Sequence, residues 1–91
     1  SDSQPQLPGL IARLGATTEA KARCDLLCRL SDLVGEYDLG QSLNHAREGL
    51  EIARDHGLRH EEARCRLEIG RTLRLLARQA EARDMIWDLA E

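Results

Sequence analysis

Three cysteines and a row of arginines are the residues of this chain whose types and spacing invite chemistry. Cys24 and Cys28 lie one helical turn apart, so both thiols can face one ligand, and Cys65 stands further along. A structural zinc site needs four ligands. The histidines complete one poorly, because His45 belongs to a different segment and His56 and His60 flank a turn. No histidine stands where it would activate Cys24 or Cys65 as a nucleophile, and no paired acid and base have credible spacing. The cysteines therefore read as small apolar residues of a helical core. No catalytic residue, metal or cofactor is expected.

The arginines are the sharper candidates. Arg64, Arg71, Arg74 and Arg78, with Leu67 and Leu75 between them, run along one side of a helix. A guanidinium gives a bidentate fork to a carboxylate or phosphate, so such a row suits a small anion or an acidic peptide. The bland alternative is a solvated, Arg-rich face. Carboxylates and arginines at helical spacing elsewhere, as in Glu62–Arg66 and Arg47–Glu51, solvate a surface for a few tenths of a kcal/mol per pair.

The elements that must position these groups are all helical. Sixteen leucines and eleven alanines dominate the 91 residues, with no Phe, one Trp and one Tyr, while the β-branched residues are Val34, four Ile and three Thr. The length is that of one domain, with apolar surface for a small core. A net charge of −3 argues against nucleic acid, which asks for a basic excess. No run of eighteen apolar residues and no basic-then-apolar leader is present, so no membrane span or export signal is expected in this segment. Three cysteines make no disulfide framework, which points to a reducing cytoplasm. The chain starts at Ser1 without a Met and stops inside a helical pattern at Glu91, as a piece of a longer protein would.

The chain also repeats itself. Ala22-Arg23-Cys24 returns 41 residues later as Ala63-Arg64-Cys65, Leu26 as Leu67, Cys28 as Ile69 and Ser31 as Thr72. Repetition at a period of 20–50 residues marks stacked units that cannot bury their apolar faces alone. Residues 1–6 read as a disordered lead-in and 7–91 as the helical domain, with repeat units at about 18–57 and 59–91. A short helix from Pro8 is expected to close at Gly15. A helix of about 18–34 follows, with Thr17 or Thr18 as N-cap, and is apolar around most of its circumference. An amphipathic helix of about 38–56 carries Leu39, Leu43, Ala46, Leu50 and Ala53 and stops at Gly57. A third long helix of about 60–76 carries Cys65, Ile69, Leu73 and Leu76, and a fourth starts near Gln79. Ser42, Gly49, Gly70 and Ala82 fall where helices would touch closely. The expected architecture is all-α, with antiparallel hairpins behind a short leading helix.

These residues resemble tetratricopeptide repeats. Gly49-Leu50-Glu51-Ile52-Ala53 with His56-Gly57 resembles the end of a repeat's second helix. Glu62-Ala63 through Leu67-Glu68-Ile69-Gly70 to Leu73 resembles the next repeat's first helix, and Ala77 to Ala82 its turn and small contact residue. The period of about 41 exceeds the usual 34, the large aromatics are missing, and Gly57 replaces the closing Pro. The resemblance implies a superhelix of about four long helices. It also implies a place in a larger bacterial cytoplasmic regulator, where such repeats precede an output domain such as a diguanylate cyclase. In such folds each repeat's first helix lines a concave groove, which would put Arg64, Leu67, Arg71, Arg74 and Arg78 on the partner-binding face.

The expected function is protein–protein interaction or dimerisation, without enzymatic activity. The alternative is ligand sensing, with an anion or acidic peptide on the arginine face. Self-association is expected because Leu26, Leu30 and Leu33 on one helix and Ile86, Trp87 and Leu89 on another exceed what two hairpins can cover. Trp87 is the preferred anchor.

Overall fold

The computed structural model describes residues 6–90, with side chains over 6–87. It contains four helices: α1 (Leu7–Ala16), α2 (Ala20–Val34), α3 (Leu39–Asp55) and α4 (Arg59–Ala90), and no strand among the described residues. The lead-in at 1–5 lies outside the described residues.

Helix boundaries follow side-chain chemistry. α2 is capped by Glu19, whose carboxylate accepts from the backbone N–H groups of Lys21 and Ala22 at 3.1 and 2.9 Å. This displaces the expected Thr17 or Thr18; Thr17 instead ends α1, which runs one residue past Gly15. Asp38 caps α3 through Gln41 N–H at 3.1 Å, satisfying one of the donors a helix start leaves open. At the other end of α3, Gly57 adopts φ +65°, its N–H bonds to Arg54 C=O, and Leu58 N–H reaches Ala53 C=O. That is a Schellman closure, for which glycine is favoured.

Contact registers define the topology. Ser31 meets Ser42 and Cys24 meets Gly49, so α2 and α3 are antiparallel. Arg64 pairs with Asp25 and Cys65 meets Cys28, so α4 runs parallel to α2 while α3 packs on both. α1 covers the remaining side of α2, where Leu10, Leu26 and Leu30 form a buried cluster flanked by Leu7, Leu14 and Leu33. Arg23 fastens α1 in place, donating to the carbonyls of Leu14 and Thr17, each at 2.9 Å. The all-round apolar character of α2 is thus used on two sides, as its sequence required.

Two expectations fail on α4. The turn near Gln79 is absent, and one helix of 32 residues runs through the stretch where two were expected. Ala77-Arg78-Gln79-Ala80 holds no Gly or Pro, and Ala, Arg and Gln are strong helix formers, so nothing local ends the helix there. The buried face is also rotated by about one position. Glu61, Cys65, Glu68 and Thr72 are buried, whereas Ile69 is half-buried and Leu73 exposed. Ser42 and Gly49 do sit at close helix contacts, but Gly70 has nothing within 4 Å of its Cβ position and Ala82 is exposed.

Candidate functional site

The cysteines meet at the centre of the three long helices. Cys24, Cys28 and Cys65 are buried and free, with the Cys28 and Cys65 sulfurs 3.5 Å apart and Cys24 Sγ 3.4 Å from Gly49 C=O. Burial holds the Cys24 thiol above its ordinary value, and the contact with Cys28 together with burial does the same for Cys65. The same contact draws Cys28 below its ordinary value, and it is the burial of all three that shields them from electrophiles. Among the described residues no group of three or more metal-ligating side chains converges.

A cleft of about 190 Å³ opens where α2 turns into α3, beside α4. Asp32, Glu36, Glu68 and Arg71 line it, with Leu39 and Leu75 as apolar walls. At its floor, Ser31 and Ser42 exchange hydroxyl-to-carbonyl bonds of 2.9 and 2.7 Å and their hydroxyls lie 3.0 Å apart. Burial and a hydrogen bond with Asp32 push Glu68 up to about 7, against the smaller pull of Arg71 and Arg64. Carboxylates outnumber cations around this cleft, which is the reverse of an anion receptor.

The arginine row is split by these carboxylates. Arg64 is taken up by Asp25 at 3.3 Å and Arg71 by Glu68 in an i,i+3 pair. Arg74 and Arg78 are exposed and form no ion pair among the described residues, and Leu67 between the two groups is 73% exposed. The five residues do share one side of α4, but two of their four forks are occupied by the chain itself.

The apolar candidates divide likewise. Leu26 and Leu30 are fully covered by α1 and Leu33 is half-buried, so α1 occupies the face from which Leu26 and Leu30 were expected to dimerise. Ile86 and Trp87 are 66% and 71% exposed. The Leu89 side chain lies outside the described residues. α4 is nearly twice the length of α3, and past Leu75 it overhangs the α2–α3 turn, where residues 77–87 are exposed except for half-buried Ala80. The overhang accounts for much of the 53 Å long dimension of the molecule.

Sequence reasoning passed over Arg23, Asp32 and Glu68. Arg23 had a signal, since it occupies in the first Ala-Arg-Cys triplet the place of Arg64 in the second. Each of the two arginines reaches back to the preceding neighbour, α1 and α2 respectively. Glu68 was hidden by its own charge, and the Asp32 that it meets stands on another helix.

No described helix is long and apolar enough to cross a membrane. No protein-family model matches the chain, and comparisons with curated proteins and with solved structures find no match.

Proposed function

We propose that this chain is a protein-interaction module in which the overhanging half of α4 is the docking element, carried within a larger cytoplasmic regulator. One observation carries the reading: the face of α4 that seats on α2 and α3 continues past them with nothing upon it. Glu61, Cys65, Glu68 and Thr72 fall on that face, and at the same helical spacing it proceeds through Leu76, Gln79, Arg83 and Ile86, with Trp87 beside it. On this face Ile86 and Trp87 are 66% and 71% exposed beside Arg83, and Trp and Arg are among the residue types enriched at protein interfaces. The parallel α2 and α4 with α3 across both support the tetratricopeptide-like reading, in which α2–α3 is one hairpin and α4 opens the next.

The test is site-directed photo-cross-linking in cells that make the protein. A photoreactive residue at Ile86 should give one discrete protein adduct, and one at Arg54 on the polar side of α3 should give none. Equal labelling from both positions, or no adduct at Ile86, overturns the reading.

A further inference from the structure

We propose that the occupant of the α4 overhang is a second copy of the same segment, packed antiparallel about a two-fold axis. This rests on the interaction reading above and names its partner. The face reads alike in both directions, with Leu75 and half-buried Leu76 at one end, Ile86 and Trp87 at the other, and Ala80 and Ala82 on its two flanks between them. Turned end for end about residue 81, Leu76 comes level with the partner's Ile86, Leu75 with the partner's Trp87, and Ala80 with the partner's Ala82. Large side chains come level at the two ends, while Ala80 and Ala82, about 160° apart around the helix, leave the two flanks of the crossing free of bulk.

The polar positions on this face select the same orientation. Gln79 comes level with the partner's Arg83, whose guanidinium donates to the Gln79 amide oxygen, and the symmetry makes this pair twice. A parallel pair would instead set Arg83 against the partner's Arg83, two like charges taken out of water. Because a two-fold contact uses one patch on both copies, a single uncovered face is sufficient. The overhang from Leu75 to Trp87 is ~18 Å long at the α-helical rise. A contact of that length stands at the small end of specific interfaces, so the dimer is reversible.

Sedimentation velocity of the whole chain tests it, over a range from about 5 to about 200 micromolar that brackets such an affinity. Monomer–dimer exchange is expected, and Ile86→Glu with Trp87→Glu should weaken it at least tenfold while circular dichroism and the melt of the body stay unchanged. Orientation is read by disulfide trapping with Gln79→Cys and Arg83→Cys. The mixture should give a cross-linked dimer, and each variant alone at least tenfold less. A monomer at the highest concentration overturns the proposal, as does either variant trapping with itself as well as the mixture does. If the chain is monomeric while Ile86 still yields an adduct with another protein, the second copy is wrong and the interaction reading stands. If both experiments are blank, both fall.

Discussion

A Cβ placed on Gly49 would stand 3.0 Å from the sulfur of Cys65, with Leu27 Cβ at 3.6 Å behind it. Cys65 cannot withdraw, because its sulfur already rests on that of Cys28. Gly49 is therefore the point at which α3 approaches α2 and α4 closely.

A change of sign follows on substitution. In an open helix, Gly→Ala gains about 1 kcal/mol; here Gly49→Ala is expected to destabilise, since overpacking costs about 1–3 kcal/mol. With Cys65→Ala in the background the obstruction is gone, and Gly49→Ala should become stabilising. Urea denaturation of the four chains measures the cycle, and additive effects would show that Cys65 does not set the limit.

Glu68 links stability to pH. Its folded value of about 7 lies above its ordinary 4.5, so the folded chain holds a proton that the unfolded chain releases between those two values. Its contribution is fully present below about 4.5 and is lost as pH rises through about 7. Relative to Glu68→Gln, the native protein should lose melting temperature between pH 5 and pH 8. Parallel melting curves for the two chains would exclude this linkage.

The Ser31–Ser42 joint should behave as a unit. Ser31→Ala removes the hydroxyl that donates to the Ser42 carbonyl, while Ser42 Oγ keeps the Ser31 carbonyl as its acceptor, and is expected to cost about 0.5–1.5 kcal/mol. Removing both hydroxyls should cost less than the sum of the single changes, as chemical denaturation can measure.

The overhang should be the least protected part of α4. An unpacked helical segment shorter than about 12–15 residues is marginal in water, so amides after residue 77 should exchange much faster than those at 61–74 in dilute solution. Protection appearing there at high concentration would report association; uniform protection when dilute would indicate support from within the chain.

The helical class, the three turns before α4 and the double burial of α2 were legible because each is written locally. Asp38 and Gly57 mark helix ends by side-chain and backbone chemistry, and the leucines of α2 fill more than one face. The seat of α4 was not legible by apolar spacing, because Glu68 and Thr72 are buried while Leu67 and Leu73 are exposed. Glu68 meets Asp32 of α2 on that face, a tertiary relation that periodicity does not contain. The missing turn at Gln79 was inferred from repeat spacing against helix-forming residues, and the local preference prevailed. For the arginines, the shared side of Arg64, Arg71, Arg74 and Arg78 and the i,i+3 pairing of Arg71 with Glu68 were open to spacing, but the Asp25 partner of Arg64 on α2 was not.

The unbroken α4 also makes the molecule a lever. Its fulcrum is the thiol contact of Cys65 with Cys28 and its arm is the stretch from Leu76 to Trp87, ~16 Å long at the helical rise. No proline lies anywhere beyond Pro8, so α4 lacks the commonest cause of a kink. Where association packs the arm, a tilt of a few degrees at its seat would sweep Trp87 through about an ångström or more, so strain felt among the buried sulfurs would be read at the far tip as displacement.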